Sequence, residues 1–537
     1  MLPMTRRLAC VAIALTLPLA ACSKKDVAYN VEEVPLAQVS ADLAAKKTTS
    51  VAVTKAYIAR IKQYDAPLNS VILIAPDAEQ QAAAADKRRA EGKALGPLDG
   101  VPILIKDNID ATGMPTTAGS YVLEHNLPAK DSEVARRLRL AGAVILGKTN
   151  LSQWAGWRDI NSFNGSTVGK GPHNPYDLTR TPAGSSSGSG IATATSFAAA
   201  TIGTETSGSI TGPSTINGIV GLKPTIALIS RRGIVPIGHT QDTSGPMARS
   251  VMDAAILLNA VAGTDTDPQT PDPDSKDADA HKVDYTAALK PDALKGVRLG
   301  VVRGLRGYDE KTEPVYNAAL EVLKAQGAEL VEIGDPHWED LSNEQRIILS
   351  YDFKQDLNAY LAGTDPAKVK SRTLTEAIAF NTTDEREKGH GNEVWVQSDA
   401  TTGFEADEYK NLLAEIRRKT RDEGIDKLLK DNNVEALVNL TGGPAAVIQP
   451  DGTKTLGAGS THEKGAVPPS ATLYAAVAQY PHLTVPMGQV DGLPVGLSFI
   501  GTAWTEDKLL AYGYAYEQAS HKRVPPTAYK TAVAEKK

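Results

Sequence analysis

The chain has 537 residues, of which 42% are hydrophobic and 22% charged, and its net charge is −6. A chain of this length can bury a large core, and the composition is ordinary for a soluble globular protein. The acidic charge and the 5% of aromatic residues argue against a nucleic-acid partner, because phosphate binding needs a basic surface and base stacking needs aromatic rings. The two cysteines, Cys10 and Cys22, both lie near the N-terminus, which excludes a disulfide framework in the folded body.

The N-terminal residues have the pattern of an export signal. A basic pair, Arg6 and Arg7, precedes an apolar stretch from Leu8 to Ala21 that is too short to span a bilayer comfortably. The stretch leads directly into Cys22, and its last residues resemble the lipobox of bacterial lipoproteins, in which the cysteine is acylated. A plain secretory signal that is cleaved nearby is the alternative.

The lipobox resemblance gives the boundaries and the location of the chain. Residues 1–21 are predicted to be a lipoprotein signal peptide and residues 22–35 a tether, with lipidation at Cys22 as the only contact with the membrane. Ser23 follows the cysteine, where an aspartate would resemble an inner-membrane retention signal. We therefore expect the body to lie in the periplasm, anchored to the outer membrane.

Beyond the tether, helical and strand patterns alternate. Apolar residues three or four apart predict helices, and short apolar runs between turn residues predict strands. Helices are predicted at Leu36–Tyr64 (with Ser50 as a candidate N-cap), Asp77–Glu91, from Ser132, Ser250–Leu258, Thr312–Gln326 and Glu506–Ala519. Strands are predicted at Val71–Ile74, Val101–Asp107, Ala143–Leu146, Val297–Val302, Glu329–Ile333, Val434–Leu440 and Pro494–Ile500. This alternation predicts an α/β fold, with a mixed, mostly parallel central sheet covered by helices on both faces.

The remaining segments complete the predicted domain, which spans residues 36–525. Residues 343–430 are helix-rich and more charged, which indicates a smaller lobe or a rim over the site. Residues 264–283 are crowded with Asp, Pro and Thr and are predicted to be a solvated excursion. Residues 526–537 are predicted to be a polar C-terminal tail.

The most unusual stretch runs from Thr181 to Pro213 and begins and ends in turns rich in serine and glycine. A flexible linker has a similar composition, but a linker has no need of the apolar residues between the turns, which suffice for one helix. Two rigid turns around a buried helix are the better interpretation. Such turns concentrate backbone N–H groups and hydroxyls, as an acyl-transfer site requires.

Two kinds of serine chemistry are compatible with these residues. Residues 184–188 match the G-x-S-x-G nucleophile elbow, with Ser186 at its centre and His462 or His482 as a candidate base. The other kind uses Lys106 at the end of an apolar strand. A lone lysine there is commonly a surface residue, but burial would lower its pKa, and a neutral amine can accept a proton from a serine without any histidine. The histidines show no metal-binding spacing, so we expect neither a metal nor a cofactor.

Several motifs together resemble the amidase signature family of Ser–Ser–Lys hydrolases, and within it the branch of bacterial peptide amidases. They follow one another in the family's order over about residues 35–520, and jointly they are highly specific. The motifs are Gly100–Asn108, Asn174–Gly188, Gly203–Ile210, Gly221–Pro224, Gly245–Ser250 and Gly492–Gly496.

The resemblance implies a role for each matching residue. Ser209 would be the nucleophile, Ser185 the bridging serine and Lys106 the terminal base. The Gly184–Ser185 peptide bond would be cis. The oxyanion hole would consist of backbone N–H groups, those of Thr206, Ser207, Gly208 and Ser209. A carboxylic amide would then be hydrolysed through an acyl-enzyme to an acid and ammonia or an amine, without metal or cofactor.

The chain departs from the family's pattern at several positions. Ala183 and Ser187 replace glycines of the common form GGSSGGSA. Many relatives carry an arginine shortly after the nucleophile that can bind a substrate carboxylate, whereas residues 210–212 here are Ile-Thr-Gly. We therefore expect a neutral substrate, such as the C-terminal amide of a peptide. Trp154 and Trp157 are candidates to line its pocket, although an aromatic residue there is more often core packing.

Two alternatives remain at this point. One is an ester hydrolase that uses Ser186 and a histidine, and replacement of Lys106 distinguishes it from the amidase. The other is a partner-dependent subunit that resembles part of the amidotransferase that corrects misacylated tRNA. The lipobox argues against this second alternative, because that tRNA lies in the cytoplasm.

Overall fold

The structure is a computed structural model that describes residues 29–158, 165–448 and 469–534. The predicted signal peptide, Cys22 and half of the tether lie outside the described residues, as does His462. Within the three described ranges, none of the helices combines the length and the apolar character needed to cross a membrane.

A single sheet of eleven strands runs through the described part of the chain, in the order β1-β3-β2-β4-β6-β5-β10-β11-β9-β7-β8. The strands are β1 (Val71–Ile74), β2 (Pro102–Lys106), β3 (Val144–Thr149), β4 (Ala200–Glu205), β5 (Val220–Lys223), β6 (Thr243–Ala248), β7 (Arg298–Val302), β8 (Glu329–Gly334), β9 (Ala436–Leu440), β10 (His482–Val490) and β11 (Leu493–Ile500). Strands β2 to β6 are buried at every residue, which requires both faces of the sheet to be covered. The predicted α/β class with a mixed, covered sheet is confirmed.

Parallel pairing occurs in two blocks of the sheet. One block is β3-β2-β4 and the other is β9-β7-β8. The strands between the blocks pair antiparallel, as β1 does with β3, so parallel order is not continuous through the centre. Strand β10 was not predicted, because Pro486 interrupts its pattern. This proline stands at a register shift, where a residue without an N–H is tolerated.

Helices pack on this sheet and form the helix-rich region predicted at 343–430. They are α1 (Leu36–Ala44), α2 (Ser50–Tyr64), α3 (Ala78–Ala90), α4 (Glu133–Leu140), α5 (Ser187–Ala194), α6 (Thr211–Ile216), α7 (Val251–Val261), α8 (Ala278–His281), α9 (Thr312–Ala325), α10 (Ser342–Gly363), α11 (Leu374–Thr383), α12 (Glu393–Asp399), α13 (Asp407–Thr420), α14 (Asp426–Asp431), α15 (Ala471–Val477), α16 (Glu506–Ser520) and α17 (Ala528–Ala534).

The first predicted helix is in fact two helices, α1 and α2. Thr49, not Ser50, is the N-cap of α2, because the Thr49 hydroxyl accepts a hydrogen bond from the N–H of Ala52 at 3.1 Å. Ser50 is buried, and its hydroxyl donates to the carbonyl of Gly100 at 2.6 Å. The N-cap prediction was therefore wrong by one residue.

The segment 264–283, predicted to be a solvated excursion, is tied to the body by ion pairs. Asp265 and Asp272 are buried, and their carboxylates contact Arg232 and Arg231 at 2.8 and 2.9 Å. A buried carboxylate needs such a partner to offset the loss of hydration. These two aspartates are therefore paired inside the protein, whereas most of the other residues of the segment are exposed, as predicted.

Part of the predicted polar tail is helix α17. Tyr529 on this helix is buried, and its ring packs edge-on against Tyr64 and Phe197, with ring centroids 5.7 and 6.4 Å apart. Its hydroxyl accepts a hydrogen bond from Arg60 at 2.6 Å. The C-terminal segment therefore closes the apolar surface next to α2.

A buried carboxylate ties the helix-rich region to the rest of the domain. Glu387 lies between α11 and α12 and pairs with the buried Arg158. It also accepts hydrogen bonds from the backbone N–H of Tyr121 at 2.7 Å and from the Gln153 amide at 2.8 Å. The residues that follow β3 are thereby fixed against the helical rim.

Candidate active site

Lys106 is the last residue of β2 and lies between the parallel neighbours β3 and β4. Its side chain is 0% exposed. Its Nζ lies 2.7 Å from the Ser185 hydroxyl, 2.8 Å from the Thr204 hydroxyl and 3.2 Å from the Thr204 carbonyl oxygen. The lysine therefore reaches the serine-rich turn from inside the sheet and does not extend to solvent, as a surface lysine would.

The environment of Lys106 favours the uncharged amine. Burial lowers the pKa of Lys106 from 10.5 to about 7, and the negative charges of Asp242 and Glu205 oppose part of that effect. Within the described residues, its Nζ contacts hydroxyl and carbonyl oxygens and no carboxylate. A substantial fraction of the Lys106 side chains is therefore neutral near pH 7.

The first serine-rich turn is built as the resemblance implies. The Gly184–Ser185 peptide bond is cis, and helix α5 begins two residues after Ser185. The Ser185 carbonyl accepts a hydrogen bond from the N–H of Ser152 at 3.0 Å. The apolar residues between the two serine-rich turns form helix α5 followed by strand β4, whereas the sequence predicted a helix alone.

Ser209 lies in the second turn, between β4 and α6. It is 8% exposed, and its carbonyl oxygen accepts a hydrogen bond from the N–H of Ser186 at 3.2 Å. The two turns are therefore in direct backbone contact. Lys106 and Ser185 meet through their side chains, and Ser209 is joined to the same segment through the backbone of Ser186.

The second turn also presents backbone donors. The N–H groups of residues 206–209 donate to no acceptor within the ranges that the structure describes. Gly208 has φ of +85°, a conformation that favours glycine, and a Cβ at this position would lie 3.0 Å from a methyl carbon of Thr472. Four consecutive free donors beside a serine are what an oxyanion hole needs.

The hydroxyl of Ser186, the centre of the G-x-S-x-G match, is hydrogen-bonded to the backbone and contacts no histidine among the described residues. This hydroxyl is buried, donates to the Thr204 carbonyl at 3.0 Å and accepts from the Thr204 N–H at 3.2 Å. His482 is buried in β10, where its Nε2 lies 2.6 Å from the Ser498 hydroxyl. Burial lowers the pKa of His482 to about 3, and the charge of Lys223 adds to this effect. Ser186 thus connects α5 to β4, and His482 has a hydrogen-bond partner elsewhere.

The structure also gives the surroundings of three other residues that the sequence singled out near the substrate. Trp154 is buried against Trp395, with ring centroids 5.0 Å apart, and belongs to the packing of the helical rim. Trp157 is partly exposed and packs beside Phe353. Ile210 is fully buried in a small apolar cluster beneath α5, so its side chain cannot contact a substrate.

Three residues of the site had no sequence signal of their own. Thr204 contacts Lys106, and Asn108 donates to the Thr204 hydroxyl at 3.0 Å. Asp242 binds the Thr206 hydroxyl and accepts from the N–H of residue 237 at 2.8 Å. These residues lie inside motifs quoted for the family resemblance or next to one, but nothing in their types distinguishes them from ordinary polar residues at strand ends.

A buried amine against a serine hydroxyl, beside a turn of free N–H groups, is typical of serine hydrolases that use lysine as the base. Comparisons with known proteins agree. The family model described as Amidase matches residues 52–510. An Arabidopsis thaliana protein described as a probable amidase is 34% identical over 513 residues, which cover 93% of this chain and 92% of the relative.

Two further relatives are similar to this chain over most of its length. A glutamyl-tRNA(Gln) amidotransferase subunit from Chloroflexus aggregans is 36% identical over 495 residues, with 90% of this chain and 96% of the relative covered. The crystal structure of native peptide amidase from Stenotrophomonas maltophilia is 42% identical and has a TM-score of 0.84, with 92% of this chain and 98% of that chain covered. The chain belongs to the amidase family, and it is an enzyme that hydrolyses amides.

Proposed function

We propose that this amidase hydrolyses a neutral carboxylic amide, with the C-terminal amide of a peptide as the preferred class, through an acyl-enzyme on Ser209. Ser185 and Lys106 form the proton relay. The observation that carries the proposal is the 2.7 Å contact between the buried Nζ of Lys106 and the Ser185 hydroxyl. That contact couples a base whose pKa lies near neutrality to the turn that bears Ser209.

The neighbours of Lys106 orient its lone pair. The Thr204 carbonyl can only accept, so it uses one N–H of the neutral amine. The Thr204 hydroxyl accepts from Asn108 and lies 2.8 Å from Nζ, so it can accept the second N–H through its remaining lone pair. With both N–H groups engaged in this way, the lone pair of the amine faces the Ser185 hydroxyl.

The chemical steps follow from this arrangement. Lys106 accepts the Ser185 proton while Ser185 accepts the Ser209 proton, and Ser209 Oγ attacks the amide carbon. The carbonyl oxygen becomes an oxyanion, which the N–H groups of residues 206–209 stabilise. The proton returns through Ser185 to the leaving nitrogen, the C–N bond breaks, and ammonia or an amine departs. Water then attacks the acyl-enzyme by the same relay and releases the acid.

The pH dependence of kcat/KM is expected to report Lys106. Because the base must be neutral, kcat/KM should rise about tenfold per pH unit below about pH 7 and level off above it. Burial raises the pKa of Asp242 to about 6, so protonation of Asp242 in the same range would remove a charge that supports the Lys106 ammonium. Initial rates between pH 5 and 9, with a substrate that does not titrate there, test this. A flat profile over that range would exclude a lysine base.

The substrate class rests on the residues that follow Ser209. Where many relatives carry an arginine, this chain has Ile210, Thr211 and Gly212, and because none of these carries a charge, they offer no cation to a substrate carboxylate. The 42% identical relative is itself described as a peptide amidase. A panel of peptide amides, free carboxamide amino acids, aliphatic amides and anilides, scored by product mass, tests the proposal. The result expected is the highest kcat/KM for peptide amides, and a preference for free asparagine or glutamine would overturn it.

The partner-dependent subunit is a second candidate, because glutamyl-tRNA(Gln) amidotransferase subunits from several bacteria are 34–36% identical to the chain. A purified single chain that releases ammonia from a simple amide excludes that alternative. Ammonia release that depends on the addition of further protein subunits would favour it.

The ester-hydrolase alternative predicts that Ser186 is essential. In the relay proposed here the Ser186 hydroxyl only connects α5 to β4, so Ser186→Ala should cost about 1 kcal/mol of stability and lower kcat less than tenfold. Thermal unfolding and amidase kinetics of the variant measure both. Complete loss of activity in a folded Ser186→Ala protein would support the elbow mechanism instead.

We also propose, from the sequence alone, that the chain is lipid-anchored at Cys22 on the periplasmic side of a bacterial outer membrane. Growth of an expressing bacterium with a labelled fatty acid tests this. Label is expected in the wild-type chain and not in Cys22→Ala, and label in neither would leave a plain secretory signal as the better interpretation.

A further inference from the structure

The turn that carries Ser209 is closed by one carboxylate. Glu205, the last residue of β4, is 1% exposed. Its Oε2 accepts hydrogen bonds from the N–H of Ile210 at 2.7 Å, from the N–H of Thr211 at 2.9 Å and from the Thr211 hydroxyl at 3.2 Å. The two ends of the segment 205–211 are therefore joined through a single side-chain oxygen.

This closure determines what the intervening residues can do. Because Glu205 binds the N–H groups at 210 and 211, the chain between them and β4 projects as a loop. The N–H groups of residues 206–209 find no acceptor in the described residues and stay free for a ligand. Hydrogen bonds to a carboxylate are stronger than those to a neutral acceptor. The Glu205 carboxylate therefore holds the loop more firmly than an amide or hydroxyl side chain at this position would.

A buried carboxylate also needs a positive charge nearby. Lys223, at the end of β5, is 0% exposed, and its Nζ donates to the Pro224 carbonyl at 3.0 Å. Burial lowers the pKa of Lys223 to about 8, and the charges of Glu205 and Glu506 oppose that effect. His482, opposite Lys223 in β10, stays neutral because its pKa is lowered to about 3. Lys223 is thus a buried cation whose charge favours the Glu205 carboxylate, although no ion pair joins the two side chains among the described residues.

We propose that Glu205 is a positioning residue of the amidase site, whose carboxylate holds the loop 206–209 in the conformation that stabilises the oxyanion. The inference rests on the proposed function. Glu205 touches no reacting atom and acts through the backbone of the loop. Its effect therefore belongs to the transition state and not to binding of the ground-state amide.

Glu205→Gln tests the proposal. The variant keeps the size of the side chain but loses the charge, so we expect kcat to fall about 10²-fold, the loss typical of one oxyanion-hole donor, while KM changes less than threefold. A peptide aldehyde forms a hemiacetal with the Ser209 hydroxyl and places its oxygen in the oxyanion hole. The affinity for this aldehyde should therefore fall by a similar factor to kcat. The acid limb of kcat/KM should move to lower pH, because the Glu205 charge no longer supports the Lys106 ammonium.

The matched control is Glu506→Gln. Glu506 also faces Lys223, but its carboxylate accepts from the N–H of Thr225 at 2.6 Å and has no contact with the loop. We expect its kcat and aldehyde affinity to stay within threefold of the wild type. If both variants lose kcat equally, or if Glu205→Gln raises KM with kcat unchanged, the positioning role is wrong.

Glu205→Asp is the second variant, in case Glu205→Gln does not fold. It keeps the charge but shortens the side chain by one methylene, so we expect about a tenfold lower kcat at unchanged KM. A wild-type kcat and aldehyde affinity in this variant would overturn the inference. Failure of the proposed function looks different, since the wild-type chain itself would then prefer free asparagine or glutamine, or would carry its acyl group on a residue other than Ser209.

Discussion

Replacement of Ser209 by alanine is expected to lower kcat roughly 10⁴-fold or more. The reason is that Ser209 Oγ forms the acyl-enzyme in the proposed mechanism, whereas the Ser185 and Ser186 hydroxyls are engaged by Lys106 and Thr204. Ser209 is only 8% exposed, and loss of its hydroxyl leaves the backbone donors in place, so the fold and substrate binding should change little. Single-turnover kinetics with a peptide amide measure the effect, and thermal unfolding checks the fold.

Ser214→Ala is the matched control for Ser209. Ser214 lies on α6, is buried, and its hydroxyl has no hydrogen-bond partner within the described residues. This substitution should leave kcat within about threefold of the wild type. If Ser209→Ala retained more than a tenth of the wild-type rate, Ser209 could not be the nucleophile.

Replacement of Lys106 by methionine is the second large effect. Methionine preserves most of the buried stem but removes the base, so we expect kcat to fall about 10³–10⁴-fold. Higher pH should not restore the rate, because no neighbouring group can replace the amine. Amidase rates between pH 6 and 10 test both expectations. Full activity in this variant would favour the ester-hydrolase alternative.

Lys148→Met separates a catalytic effect from the general cost of replacing a buried lysine. Lys148 is as buried as Lys106, but it lies 3.5 Å from the Asp107 carboxylate and donates to the Ile109 carbonyl at 2.6 Å. Its removal leaves a buried carboxylate without its partner, which costs about 3–5 kcal/mol of stability. We expect a lower unfolding temperature and a kcat within about threefold of the wild type in the folded protein.

The fold could be predicted where the local sequence pattern is clear. The apolar runs at Val71–Ile74 and Val434–Leu440 correspond to β1 and β9, and the α/β class followed from their alternation with helices. Strand β10 could not be predicted because Pro486 disrupts its pattern, and only the register shift in the folded sheet accommodates the proline. The buried aspartates of 264–283 were missed because their arginine partners lie more than thirty residues away in sequence.

In the candidate site, too, local features could be predicted from the sequence and contacts between distant residues could not. Lys106 at the end of an apolar strand and the serine-rich turns were recognisable, because strand ends and glycine turns are local features, and the family resemblance assigned their roles. The polar groups that orient them, Thr204, Asp242 and Glu205, were not recognisable. Their function depends on which strand ends meet, and strand pairing brings Glu205 opposite Thr243, next to Asp242. Sequence spacing alone does not contain that register.

The most direct test of the central claim is to trap the acyl-enzyme and locate it. A peptide amide is turned over, quenched in acid, and the protein is digested with trypsin and a glutamate-specific protease. Cleavage after Arg180, Glu205 and Arg231 separates residues 181–205, which contain Ser185 and Ser186, from residues 206–231, which contain Ser209. We predict the acyl mass on Ser209 within 206–231. An acyl group within 181–205, on Ser186, would contradict the proposed relay.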